Sequence, residues 1–355
     1  MKRFALLGIT VLWLAAAHAT SSTPSKVVDS ELVSQRLQGN RIGIDPRRTL
    51  KVYLPPGYDT SKKSYPVIYY LHSIFWSNRQ MFEDGGVQRL FDRAITAGSI
   101  RDFILVAADF TTPHVGTFFG NAPATGQWED FVVDELVPYV DAHFRTLKSV
   151  DSRGITGDFL GGYAAFKFAM LHPDAFSSVY ALHPVGTGQG LIPIASRFDW
   201  RKVNTAQSWD DLANDGYAQV FTAMAQAYLP NPNRPPFYCD YVVELKDNVL
   251  TLNPANAQRL YSSFLLDQLV PLHVENLRKL RGIKFDWGRY DANPDHVYSN
   301  QAFTRVLDQY GIEHEAEEYR GNHYEKNWTE HGRVEDSLLP FFNRHLSFEL
   351  PQAKH

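Results

Sequence analysis

The sequence predicts an α/β protein, with a mostly parallel sheet covered by helices on both faces. Three observations predict it. Short apolar runs of strand length alternate with longer segments of helical periodicity. The run DFILVAADF (Asp102 to Phe110) is apolar at nearly every position, as a strand buried on both faces must be. The segment TGDFLGGYAAF (Thr156 to Phe166) joins a strand-like stretch to a helix-like one through a glycine-flanked turn.

In chain order, MKRFALLGITVLWLAAAHA places Lys2 and Arg3 before fourteen apolar residues, Phe4 to Ala17, and ends in the small-residue pattern Ala17-His18-Ala19. That is the layout of a cleaved secretory signal over residues 1–19, too short to span a bilayer comfortably. The mature chain is therefore expected to be secreted or periplasmic, with no membrane attachment after cleavage. Residues 20–44 are expected to form a leader segment, Ser/Thr-rich and loose at its start. TLKVYLPP (Thr49 to Pro56) and YPVIYYLHS (Tyr65 to Ser73) read as strands, and residues 79–97 carry a helical pattern. In WEDFVVDELVPYVDAHF, Val132, Leu136, Val140 and Phe144 fall on one helix face, with Pro138 expected to kink it.

SRGITGDF then reads as a strand, LGGYAAFKFAMLHP as a helix and SVYALHP as a strand. From about Gly186 to Arg281 the chain is irregular and Pro-rich, then helical, and is expected to be an insertion covering the top of the sheet. The strand GIKFDWG, a helix from Ala302 to Tyr310, the strand HEAEEYRG and a helix from Trp328 to His345 complete the pattern; residues 348–355 form a tail.

Composition excludes several classes. A net charge of −4 over 355 residues leaves no basic footprint for nucleic acid. Cys239 is the only cysteine, so neither an intrachain disulfide nor a cysteine-based metal site can form; it reads as a small buried hydrophobe. His314 and His331 flank His323 at no convincing metal spacing. The sequon at Asn327 carries little weight beside a bacterial-looking signal. Neither a metal nor a cofactor is called for.

Chemistry concentrates in three loops that follow strands, where the ligand edge of a parallel sheet lies. The first holds Gly157, Gly161 and Gly162 around Phe159. The second, GRYDANPD, holds Asp291, with Asp295 close by. The third, YRGNHYEKNW, holds His323. Elbow, acid and histidine in this order is the triad order of α/β-hydrolases, in which a histidine takes the nucleophile's proton and an acid fixes the imidazole tautomer.

Five segments carry a resemblance in the same order: KVYLPPGYDTSKKSYPVIYYLHS, PATGQWEDFVVDELVPYVDAHFRTL, RGITGDFLGGYAAFKFAMLHPDAFSSVYAL, FDWGRYD and YRGNHYEKNW. Together they resemble the esterase D-type branch of the α/β-hydrolases, which includes acyl, feruloyl and enterochelin esterases and mycolyltransferases. The resemblance spans about residues 45–347 and implies an α/β-hydrolase fold. It also implies Asp291 as acid, His323 as base, and an oxyanion hole from the N–H of Leu160 and of Ser73 or Ile74. It fails at three places. Phe159 stands at the nucleophile position, Ser73 where the oxyanion loop usually has glycine, and His183 where members typically have serine.

Phenylalanine has neither a lone pair nor a titratable proton, so no acyl-enzyme can form there. Three readings follow: a pseudo-esterase that binds a small acyl or aromatic ligand; an ester hydrolase using Ser73, Asp158 or His-activated water; and base chemistry by His323 and Asp291 on a non-ester substrate.

Overall fold

The computed structural model describes residues 23–83, 85–191 and 198–349, so the expected signal lies outside the described residues. Eight strands form one sheet: β1 (Lys26–Val33), β2 (Arg47–Leu54), β3 (Val67–Leu71), β4 (Ile104–Ala108), β5 (Arg153–Asp158), β6 (Ser178–Leu182), β7 (Gly282–Gly288) and β8 (Glu315–Tyr319). Their spatial order is β1-β2-β4-β3-β5-β6-β7-β8. β1 and β2 are antiparallel, as are β2 and β4, and every other pairing is parallel. Every residue of β3, β4, β6 and β7 is buried, because helices cover both faces; this is why β3, β4 and β6 read as largely apolar runs, whereas β7 buries Lys284 and Asp286 in ion pairs with Glu315 and Arg333.

β1 corrects the expected leader. KVVDSELV pairs along its whole length with β2, from Lys26 opposite Leu54 to Val33 opposite Arg47. As an edge strand it needs no continuous apolar face, so its composition resembles that of a loop.

Five helices matter for the site: α1 (Gly86–Thr96), α2 (Leu160–Leu171), α3 (Gly216–Tyr228), α4 (Pro254–Phe264) and α5 (Pro294–Gln309). α2 is buried along nearly its whole length, and Phe166 packs edge-on against Phe285 of β7 and Phe303 of α5. Fully burying one such ring contributes roughly 1.5–3 kcal/mol.

Pro138 does not break its helix. A wide π turn, Phe131–Leu136, precedes it, and the α-helix resumes at Val137–His143 with Pro138 in its first turn, where a missing N–H costs little. The closing helix is shorter than expected: a wide turn, Val334–Leu338, leads into Leu339–His345. Trp328 instead packs edge-on against Tyr70 and Phe91.

The insertion lies between β6 and β7. It carries α3, α4 and a hairpin of Val243–Lys246 with Val249–Leu252. Tyr228 of α3 ties it to the body, with its hydroxyl 2.8 Å from that of Tyr163 and donating to the Phe118 carbonyl at 3.0 Å. Among the described residues, no helix is long and apolar enough to cross a membrane.

Candidate functional site

The carboxyl ends of β3, β5, β6, β7 and β8 converge, and each contributes one side chain or loop. The sharpest turn follows β5. Phe159 caps α2 with φ 54° and ψ −112°, a conformation that costs a non-glycine residue about 1–3 kcal/mol. The turn is possible because its neighbours lack side chains. A Cβ on Gly161 would lie 2.0 Å from the Leu71 carbonyl oxygen, and one on Gly157 would lie 2.5 Å from both Leu71 and Gly161. His183 (φ 44°) and Tyr324 (φ 60°) occupy left-handed backbone at the same edge, so strained residues gather where the three loops meet.

The Phe159 ring points into that junction. It lies 5.1 Å from the His323 ring at 29°, 5.0 Å edge-on from His296, and 5.8 Å from Tyr324. Three histidines surround one carboxylate. Oδ2 of Asp291 is 2.6 Å from His183 Nε2, 2.9 Å from His296 Nδ1 and 3.4 Å from His323 Nδ1.

The remaining hydrogen bonds fix the tautomers. Gly288 N–H donates to His183 Nδ1 at 2.9 Å, so His183 carries its proton on Nε2 and gives it to Asp291. Asn293 Nδ2 donates to His296 Nε2 at 3.0 Å while its Oδ1 accepts Asp295 N–H, so His296 gives Nδ1–H to Asp291. His323 Nδ1–H faces Asn322 Oδ1 at 3.1 Å, and that oxygen also accepts the His323 backbone N–H.

Burial opposes ionisation of Asp291, but hydrogen bonds from His183, His296, His323 and the Asn293 N–H outweigh it and hold its carboxyl far below the usual range. Burial lowers the His183 pKa, against the pull of Asp291, so its imidazole is neutral near pH 7. Potential metal-ligating atoms of His183, Asp291 and His323 lie within 4.8 Å of one another. Because His183 turns a proton toward this point and not a lone pair, the three are joined by hydrogen bonds in a form that does not ligate.

A cavity of about 640 Å³ opens beside the cluster, lined by Ile74, Phe118, Phe159, Leu160, Asp291, Asp295, His296 and His323. The insertion supplies the opposite wall: Tyr217, Val220, Phe221 and Met224 of α3 follow helical spacing, and Phe264 ends α4. The volume suits a small, largely apolar molecule.

The fold brings Phe159, Leu160, Ile74, Asp291 and His323 to one cavity. Leu160 opens α2, and Tyr163 N–H is the first to reach back to the Phe159 carbonyl, so the Leu160 N–H has no partner within its helix. Neither Ser73 nor Asp158 lines the cavity. Ser73 is buried and hydrogen-bonds Tyr324. Asp158 is buried at the end of β5, hydrogen-bonded to Tyr70, with Oδ1 unpartnered among the described residues. Burial pushes its pKa up to about 6, against the opposing Tyr70 bond and His72 charge.

His314 bonds Thr304 and the Ile312 carbonyl, and the side chain of His331 is exposed beside Asp336. The sequon's Asn327 is fully buried, and burial pushes the Cys239 thiol up to about 12. His183 stands out in the sequence only as a departure, and His296 does not stand out. The one signal for His296 was its place five residues after the acid.

Sheet, elbow and converging loops define an α/β-hydrolase-type esterase fold. A ferulic acid esterase structure superposes with a TM-score of 0.62 at 20% identity, covering 91% of this chain and all of that one. An S-formylglutathione hydrolase from Agrobacterium tumefaciens gives 0.57 at 16%, covering 90% and 95%.

The family model described as "Putative esterase" matches residues 43–220, half of the sequence, and the chain belongs to that esterase family. An esterase of Mycobacterium tuberculosis H37Rv is 32% identical over 163 residues, covering 42% of this chain and 31% of its own length. An endo-1,4-β-xylanase/feruloyl esterase of Xylanibacter ruminicola is 29% identical over 138 residues, covering 36% and 18%. The chain thus spans less than a third of the length of these curated relatives.

Proposed function

We propose that this chain is a secreted member of the esterase family whose site binds a small acyl or aromatic ligand and forms no acyl-enzyme. The observation that carries the reading is the Phe159 ring at the elbow, stacked 5.1 Å from His323, where a nucleophile would meet its base. An apolar cavity with the acid and histidine at one end supports retained binding. Esters of aromatic acids, as named for the ferulic acid esterase relatives, are the first candidates to test.

Surrogate nucleophiles gain little support, because Ser73 pairs with Tyr324 and Asp158 with Tyr70. Base chemistry by His323 and Asp291 on a non-ester substrate is the second reading, favoured by the cavity-lining His323 ring.

Turnover of p-nitrophenyl acetate by the parent, His323→Ala and Phe159→Ser proteins tests the first reading. Parent and His323→Ala are expected to be inactive and Phe159→Ser active. Parent hydrolysis lost in His323→Ala would overturn the ligand-binding reading. Export tests the secretion arm: the processed chain should appear outside the cytoplasm of its host.

A further inference from the structure

The three histidines offer six ring nitrogens, and five are engaged inside the protein. His183 uses Nδ1 on Gly288 and Nε2 on Asp291. His296 uses Nδ1 on Asp291 and Nε2 on Asn293. His323 uses Nδ1 on Asn322, with Asp291 just beyond. Nε2 of His323 has no hydrogen-bond partner among the described residues, on a ring that lines the cavity. With the proton held on Nδ1, this nitrogen presents a lone pair and can only accept.

The surrounding charge has the same sense. Asp291 and Asp295 border the cavity, and no lysine or arginine does among the described residues. Asp291 stays ionised through its three histidine donors, and its Oδ2 is closer to His183 and His296 than to His323. His183 and His296 thereby act as positioning residues: they occupy the carboxylate and leave His323 held chiefly by Asn322.

We propose that the polar end of the cavity selects uncharged ligands carrying a hydroxyl or N–H donor, which they give to Nε2 of His323, over ligands that end in an ether or a carboxylate. This rests on the reading of the cavity as a ligand site and adds the chemistry of the ligand's polar end. The ring of such a ligand would lie among Phe118, Phe221, Met224 and Phe264.

Three probes of similar size separate the possibilities: benzyl alcohol, benzyl methyl ether and benzoate. Binding is followed by titrating protein carrying ¹⁵N-labelled histidine. Benzyl alcohol is expected to bind roughly 3–10-fold more tightly than the ether, the worth of one net hydrogen bond. Benzoate should bind weakest, and only the alcohol should move the His323 Nε2 resonance. In His323→Phe the alcohol should lose its advantage while the ether still binds. Equal binding of alcohol and ether overturns the selection alone. So does a neutral His323 carrying its proton on Nε2, which the spectra of the ligand-free protein report directly. Failure of all three probes overturns both the selection and the cavity reading.

Discussion

His183 Nε2 lies 2.6 Å from Oδ2 of Asp291, while His323 Nδ1 lies 3.4 Å from the same oxygen. The residue that the sequence marks only as a departure therefore makes the shorter bond to the acid, and the expected base is held first by its neighbour Asn322.

Phe159→Ser tests how much machinery the elbow retains. The new hydroxyl would stand beside His323 and near the Leu160 N–H. Hydrolysis of p-nitrophenyl acetate is expected to rise by roughly 10²-fold or more over the parent, within the range of general-base assistance. Steady-state rates of the two proteins check this; equal rates would mean that His323 is misplaced for catalysis.

His183→Ala should destabilise the protein by about 2–4 kcal/mol. It deprives buried Gly288 N–H of its acceptor and Asp291 of its nearest donor. Denaturant unfolding near neutral pH measures the loss.

Asp158 sets a pH dependence of definite sign. Its carboxyl is raised from 3.8 to about 6 in the fold, so the stability it contributes is fully present below 3.8 and is lost as pH rises through about 6. The loss is about 2–3 kcal/mol for this buried group. Asp158→Asn should therefore be more stable than the parent at pH 8 and show little gain at pH 4, as unfolding free energies at the two pH values would record.

Asp291 works in the opposite sense. Its carboxyl is depressed, so its contribution is present above the unfolded value near 3.9 and is lost as pH falls below it. Asp291→Asn should flatten the acid limb of the stability profile, measured as melting temperature between pH 5 and pH 2.

Val220→Trp should fill the cavity from the α3 side, since Val220 lines it. Binding of benzyl alcohol is expected to fall at least about tenfold, with the melting temperature unchanged within roughly 2 °C, because the added ring enters open space and displaces no core. Calorimetric titration and a thermal scan read the two quantities.

What the sequence made legible follows from burial. β3, β4 and β6 are buried at every residue and show as largely apolar runs, while β7, equally buried, interrupts its run with the paired charges of Lys284 and Asp286. β1 was hidden because an edge strand shares its pattern with a polar loop. The elbow, Asp291 and His323 could be placed because each follows a strand at the ligand edge. His296 could not: it sits in the first turn of α5, and only the path of the chain from Gly288 to Pro294 turns its ring back onto Asp291. The two wide helical turns were equally hidden, since a proline signals a helix distortion without saying which turn absorbs it.

The elbow glycines set the evolutionary reach of this site. With 2.0 Å between a notional Gly161 Cβ and the Leu71 carbonyl, the bend tolerates no substitution there, whereas residue 159 projects into a cavity that accommodates a full aromatic ring. Shape and reactivity are thus written at separate positions. Phenylalanine and serine codons can differ by a single base, so a chain of this kind stands one mutational step from regaining a nucleophile, with the bend that would present it already built.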